Sequence, residues 1–365
     1  LCQRIPSEQI WMFGTVDFHL GEKRIPASHT TPEALDILRW IGESEHRPSG
    51  LVMEVSSHSL ALDRIGGLLY NAAVWTNLTQ DHLDFHHDME SYYQAKKRLF
   101  TDYMVSGAPA VINIDDPWGA RLAEELTGAN CVTYGRNEKA RVRIVSWDCD
   151  WNGCRVDIEE NGSRVTFSSA LKGFFNIYNM TSMIAGARAM GFTDEQIRSA
   201  FDNVKTVPGR MDRVDADVPF SVVIDYAHTP DALENILKAA RPLTKGRLIC
   251  VFGCGGDRDR TKRPIMGRIV SENSDEAIVT SDNPRTEKPQ AIIDQILDGI
   301  PLDFPHMVCT ERRTAIKQAL SIAREGDCVI IAGKGHENYQ EINGVKHHFD
   351  DREVVMELLA HGDKN

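Results

Sequence analysis

Four short stretches of this 365-residue sequence are crowded with groups that bind ions or move protons. The first opens at Glu54, at the close of an apolar run, and passes through Ser56, Ser57 and His58. Thr79-Gln80-Asp81-His82-Leu83-Asp84-Phe85-His86-His87-Asp88 follows, and then Lys96. A carboxylate and an imidazole beside phosphate oxygens suit Mg2+, which takes few protein ligands. The same residues also read as a solvated loop whose Asp88 caps a helix. A third reading takes His82, Asp84 and His86 as zinc ligands around an activated water, as in a metallohydrolase. That reading needs further ligands which the sequence does not place.

The second stretch, Gly253-Cys254-Gly255-Gly256-Asp257-Arg258, follows a buried-strand pattern. Glycines there let backbone N–H groups approach an anion, and the next helix, with Pro264 in its first turn, adds a favourable dipole. Arg258, Arg260, Lys262 and Arg263 form a basic island that points to a carboxylate or phosphate, or else to a charged rim. In the third, Ser281-Asp282-Asn283-Pro284-Arg285, the Arg fork suits a carboxylate while Asp and Asn suit an ammonium. Together these are the groups of an amino-acid zwitterion, although the segment also reads as a plain Asn-Pro turn. The fourth, Ala332-Gly333-Lys334-Gly335-His336-Glu337, ends another strand and offers Glu337 to a second amine.

Strand ends are needed to position such groups, because open α/β sheets bind ligands there. Residues 51–55, 73–77 and 110–114 read as short buried strands. Helices are expected over 89–104 and from Asp116-Pro117 onward. Residues 143–145, 154–158 and 164–167 are β-rich, and Asn152-Gly153 and Asn161-Gly162 punctuate them as hairpin turns. A small antiparallel meander is expected here, closed by helices over 177–190 and 193–203. Beyond Ser221, apolar runs at 222–225, 248–252, 277–280 and 328–331 suit a parallel sheet covered on both faces. Helical patterns near 231–240, 264–273, 289–298 and 311–324 fill the gaps. A hairpin at Asn343-Gly344 and a helix from about 351 finish the chain. Two domains fit the length, 1–212 and 213–365, with the boundary near Pro208 to Asp217.

The chain is 42% hydrophobic, with 41 basic and 53 acidic residues for a net charge of −12. That balance argues against general affinity for nucleic acid or anionic membrane. No apolar run reaches the ~18 residues of a membrane span, and the polar start Leu1–Glu8 is no signal peptide. A start at Leu rather than Met hints at a missing N-terminus. Cysteines at 2, 131, 149, 154, 250, 254, 309 and 328 form no CxxC pair. Reduced, mostly buried thiols in a cytoplasmic protein are expected.

Taken in order, eleven segments resemble the Mur ligase family over nearly the whole chain, and its diaminopimelate-adding, MurE-type branch in particular. They are Thr30-Thr31-Pro32, Glu54 to His58, Thr76-Asn77-Leu78, Asp81 to Asp84, Lys96, Phe175-Asn176 through Asn179, Gly209-Arg210-Met211, Asp225 to Pro230, Gly253 to Asp257, Asp282 to Arg285 and Gly333 to Glu337. The Asp-Asn-Pro-Arg form is that of diaminopimelate-adding members and sets the chain apart from folylpolyglutamate synthetases, which share the general plan. The resemblance implies a central parallel-sheet ATPase domain with a small antiparallel β addition, and a C-terminal Rossmann-like α/β domain. It implies an ATP- and Mg2+-dependent amide ligase joining meso-diaminopimelate to UDP-N-acetylmuramoyl-L-alanyl-D-glutamate through an acyl phosphate.

By the same resemblance, Glu54, His82 and a carbamylated Lys96 hold Mg2+. Carbamylation requires a neutral amine, hence a lowered Lys96 pKa. Thr30, Thr31, Ser56 and Arg64 are expected on the UDP-sugar-peptide, and Asn176, Asn179, Arg210, Asp225 and His228 around ATP. Arg258, Asp282, Asn283, Arg285, Gly333 and Glu337 are expected to enclose diaminopimelate. The family's Gly-x-x-Gly-Lys-Thr-Thr phosphate loop occurs nowhere in the sequence, and the family's N-terminal UDP-binding domain is unmatched. The expectation is a truncated piece of a working ligase that does not turn over ATP as it stands. The alternative is a non-catalytic relative that only binds substrate.

Overall fold

The computed structural model describes residues 9–27, 29–204 and 206–362; the Leu1–Glu8 start, with Cys2, lies outside them. Two compact units emerge. The first runs through Asp148 and adds Arg155–Ser169 and Ile177–Asn203. The second holds Cys149–Cys154, Ala170–Asn176 and the chain from Val204 onward.

In the first unit, β1 (Ile10–Phe13), β2 (Asp17–Leu20) and β3 (Lys23–Pro26) form an antiparallel meander. Helix α1 (Ala34–Glu43) buries Ile37 against Trp11, Phe13 and Phe18. Strand β4 (Gly50–Met53) then pairs in parallel with β1. Strands β1, β2 and β3 are missing from the sequence expectation: each is only four residues long, and β2 and β3 mix charged with apolar side chains, leaving no period to read.

After α2 (Ser57–Ala61), a second sheet takes the order β10-β9-β8-β7-β6-β5. It comprises β5 (Ala73–Trp75), β6 (Pro109–Asn113), β7 (Asn130–Gly135), β8 (Val142–Asp150), β9 (Gly153–Glu160) and β10 (Ser163–Ser169). Strands β5 to β8 are parallel, and β8 to β10 are the expected meander, continuous with them. Helices α3 (Leu83–His86), α4 (Met89–Thr101) and α5 (Pro117–Glu125) follow β5 and β6, and α6 (Phe175–Ala189) and α7 (Asp194–Asp202) follow the meander. Asp116 starts α5 by accepting the Gly119 N–H, and it also takes the Trp75 indole N–H at 2.8 Å.

Three expectations are corrected here. Among the described residues β4 and β5 are edges of their sheets; β4 is not buried and β5 buries only Ala73 and Trp75, while Leu51, Val52 and Val74 are 38%, 46% and 43% exposed. An apolar run reports strand propensity but not the number of neighbours. The turn between β8 and β9 is Trp151-Asn152, with Gly153 already in the strand; Asp150 accepts the Asn152 and Gly153 N–H groups instead. Asn161-Gly162, by contrast, takes the positive φ values, 52° and 76°, of a two-residue hairpin turn. Finally, Cys149 and Cys154 form a disulfide, because the two-residue turn sets them directly opposite with Cα atoms 4.2 Å apart. Cys250, Cys254 and Cys328 are buried and free, as expected.

The second unit is built on β11 (Asp212–Arg213), β12 (Ser221–Asp225), β13 (Leu248–Phe252), β14 (Glu276–Thr280), β15 (His306–Cys309) and β16 (Cys328–Ala332). Their order is β11-β12-β16-β13-β14-β15, all parallel from β12 on. Helices α8 (Pro230–Ala240), α9 (Lys262–Asn273) and α10 (Pro289–Leu297) pack one face through Leu233, Ile236, Met266 and Ile293. Helices α11 (Arg312–Ile322) and α12 (Asp351–Gly362) pack the other through Ile316, Ala319 and Val355. A hairpin, β17 (Tyr339–Ile342) and β18 (Val345–His348), turns at Asn343-Gly344. No helix among the described residues is long and apolar enough to cross a membrane.

Candidate functional site

Strand β4 stops at Met53 and delivers Glu54 into a knot of hydroxyls. Thr15 Oγ1 donates to Glu54 Oε2 at 2.6 Å and stands 3.3 Å from Thr30 Oγ1. Thr31 Oγ1 donates to the Glu54 carbonyl and accepts the Ser56 N–H, both at 2.9 Å. Ser56 in turn caps α2 through the Ser59 N–H. Glu54, Thr30, Thr31 and Ser56 are thus brought together, whereas Arg64 pairs with Glu33 at 3.3 Å.

Helix α2 also carries His58, whose ring centre lies 4.8 Å from that of His82 and 4.3 Å from that of Phe85. His82 has a left-handed φ of 55° at the start of α3. His86 is buried, shares a 2.9 Å hydrogen bond with Ser57 Oγ and stacks on Tyr92. Burial, and then the neighbouring imidazoles, hold His58 and His86 below the ordinary histidine pKa. Lys96 keeps some exposed surface, but packing around its ammonium desolvates it and draws its pKa down, against the pull of Asp81 and Asp116. That shift is the condition carbamylation requires. Among the described residues no three His, Cys, Asp or Glu side chains gather as metal donors. His82, Asp84 and His86 therefore form no gathered zinc donor set among the described residues.

In the second unit, two of the residues expected around ATP, Arg210 and His228, meet at Tyr226. The Arg210 guanidinium lies 4.9 Å from its ring centre, and the His228 and His336 rings lie at 4.5 and 5.1 Å. Gly209 has φ +69°, and a Cβ there would stand 2.3 Å from the His336 backbone nitrogen, so only glycine lets these loops touch. Asp225 faces inward: its oxygens accept the Met211 and Ala227 N–H groups, and burial pushes its carboxyl up to about 6. Asn176, at the head of α6, donates to the Lys172 carbonyl, and the Asn179 carbonyl accepts from Ser182 Oγ.

The amino-acid groups collect beyond β14 and β16. Asp282 Oδ1 accepts the Asn283 N–H, while Oδ2 is buried with no hydrogen-bond partner among the described residues. It abuts Gly333, where a Cβ would come within 2.5 Å. The Asn283 side chain accepts from Lys334 Nζ at 3.0 Å and donates to Glu337 at 2.9 Å. Arg285 donates from Nη1 to the Gly256 carbonyl and turns Nε toward Glu341 at 3.3 Å. Asp282, Asn283, Arg285, Gly333 and Glu337 therefore share one place. Lys334, fully buried, and Glu341 belong with them and were missed. Lys334 lies inside a motif already noted, but lysine type alone suggested surface; nothing in the sequence marked Glu341.

The glycine loop after β13 does something other than expected. The Gly256 N–H donates to the Asn283 carbonyl and the Asp257 N–H to Glu287, so neither is open to an anion. A Cβ on Gly256 would stand 1.9 Å from the Pro284 carbonyl oxygen: the glycine seats one loop upon the other. Most of the basic island is engaged by the protein's own groups as well. Buried Arg263 donates to Glu287, Gln295 and the Gly255 carbonyl, Arg260 pairs with Glu287, and Lys262 donates to the His228 carbonyl. Arg263 holds the Glu287 carboxyl at about 2. Arg258 stays exposed, without such a partner among the described residues.

Comparison with known proteins assigns a family to each of two successive spans of the chain. Residues 1–187 match the Mur ligase middle domain, and residues 209–335 the Mur ligase glutamate ligase domain. The chain is 51% identical over 336 residues to the UDP-N-acetylmuramoyl-L-alanyl-D-glutamate–2,6-diaminopimelate ligase of Gloeobacter violaceus, covering 92% of this chain and 68% of that one. A solved structure of a ligase of that name superposes with a TM-score of 0.65 at 34% identity, covering 100% of this chain and 76% of its own. A Thermotoga maritima MurF ligase in complex with ADP shares the fold at 18% identity, with a TM-score of 0.66 over 87% of this chain and 68% of its own.

Proposed function

The chain belongs to the Mur ligase family, and we propose that it carries the catalytic and amino-acid-binding parts of a ligase joining meso-diaminopimelate to UDP-N-acetylmuramoyl-L-alanyl-D-glutamate. ATP phosphorylates the D-glutamyl carboxylate, an amine of diaminopimelate attacks the acyl phosphate, and phosphate leaves as the amide forms. Such chemistry rests on positioning and charge neutralisation. Glu54, His82 and a carbamylated Lys96 would hold Mg2+, whose charge would offset the phosphate oxygens. Lowered basicity at Lys96 and oxygen donors around Glu54 fit that role. Thr30, Thr31 and Ser56 bind the UDP-linked substrate from the same knot, and Arg210 and His228 flank the nucleotide. Because ATP and UDP-linked precursors are cytoplasmic, the reaction is placed in the cytoplasm.

One observation carries the reading of the amino-acid site: a buried, unsatisfied Asp282 oxygen lies in the same loop as the Arg285 guanidinium. An ammonium and a carboxylate on one ligand answer both. Lysine lacks the distal carboxylate and leaves Arg285 without its ligand partner. No Gly-x-x-Gly-Lys-Thr-Thr run occurs in the 365 residues, so the assay uses protein expressed from the complete reading frame. Arg285→Ala should lower kcat/KM for diaminopimelate about a hundredfold while changing that for lysine far less. An unchanged preference would sink the account.

A further inference from the structure

Arg312, the first residue of α11, is wholly buried and lies outside every motif discussed above. Its Nε and Nη2 grip both carboxylate oxygens of Asp351, at the start of α12, at 2.8 and 2.7 Å. Asp351 is itself fully buried. Nη2 also donates to the Ala332 carbonyl at 3.0 Å, and Nη1 reaches the Ser281 carbonyl at 3.5 Å. Those carbonyls directly precede the Gly333–Glu337 and Asp282–Arg285 loops. One guanidinium therefore spans the exits of β16 and β14.

The remaining contact is the telling one. Nη1 stands 4.0 Å from Asp282 Oδ2, the oxygen that lacks a hydrogen bond. At that distance the cation does not occupy the lone pairs of the oxygen. Two parallel hydrogen bonds to Asp351 fix the guanidinium plane, and the two carbonyls fix its reach. A guanidinium released from that grip could close the last ångström and cap Oδ2 itself.

We propose that Arg312, held back by Asp351, is a positioning residue that keeps the Asp282 carboxylate in place and uncapped for the ammonium of the amino-acid substrate. This rests on the amino-acid reading of the Asp282–Arg285 loop. Asp351 governs access to the site as much as Arg312 does, although neither touches the ligand.

The test compares three variants of the protein expressed from the complete reading frame. Asp351→Asn loosens the grip while nearly keeping shape. Arg312→Met with Asp351→Leu removes the pair together, a replacement that buried ion pairs often tolerate without loss of stability. Asp282→Asn tests the carboxylate. Each should raise KM for diaminopimelate about tenfold or more, with kcat at saturation and KM for ATP nearly unchanged. Combined with Asp282→Asn, the Arg312/Asp351 replacement should add little, because both act through one oxygen. An unchanged KM for diaminopimelate in Asp351→Asn and in the double replacement, or effects that simply multiply with Asp282→Asn, would overturn the positioning role. If Asp282→Asn itself left that KM unchanged, the amino-acid reading would fall first. A buried pair that served only stability would lower the melting temperature without singling out one substrate.

Discussion

Asp225 closes β12 with both carboxylate oxygens accepting backbone N–H groups, yet burial outweighs those bonds and lifts its pKa from 3.8 to about 6. Between those values the folded chain holds a proton that the unfolded chain has released. Stability therefore falls as pH rises through that window, by about 3 kcal/mol, and is constant with respect to this group above it. Asp225→Asn should erase that slope while losing one of the two hydrogen bonds. Denaturation midpoints at about pH 4 and about pH 7 check this; equal pH dependence in both proteins would refute it. At this scale the sequence revealed residue types well and their engagements poorly. Glu54, Asp282 and Asn283 stood out because polar groups at strand ends are informative. Lys334, Glu341 and Arg312 did not, since only folding shows that a charged group has been set against a particular partner. The basic island erred the other way: four cations in six residues looked like a ligand site, and three of them serve the protein's own carboxylate and carbonyl groups.

Between elements, the decisive contact is loop against loop. The Gly256 backbone lies so close to the Pro284 carbonyl that a methyl group cannot enter, and no flexible side chain is available to yield. Gly256→Ala should destabilise the protein by about 1–3 kcal/mol and weaken diaminopimelate binding, as read by thermal melting and KM. Gly42, within α1, has nothing within 4 Å of an added Cβ. Gly42→Ala should therefore stabilise by up to about 1 kcal/mol, and a loss there would refute the local picture. The parallel strands of the second unit were legible because their apolar runs are continuous and their helices keep a 3.6-residue period. The opening meander was not, because four-residue strands carrying Asp17, Lys23 and Arg24 resemble loop. Asn-Gly identified the turns at 161 and 343, while at 152 the Asp150 side chain shifted the turn by one residue.

For the whole molecule, two edge strands matter most. Among the described residues, β4 and β5 each end their sheet, with apolar side chains exposed there at Leu51, Val52 and Val74. Unpaired edges of that kind template pairing with another chain. The 365-residue protein should associate in a concentration-dependent way, and Val52→Lys with Val74→Lys should shift it toward monomer in sedimentation experiments. Equal sedimentation of both proteins at all concentrations would count against the edges. A different consequence follows from the hairpin tip at Trp151. Its indole donates to the Leu243 carbonyl and packs on the core of the second unit, where Phe175 packs too. Both belong to that unit although the chain reaches them long before Val204. Anyone dividing this protein for separate expression should expect a piece begun at Val204 to be short of two core aromatics, because the unit is assembled from three separate lengths of chain.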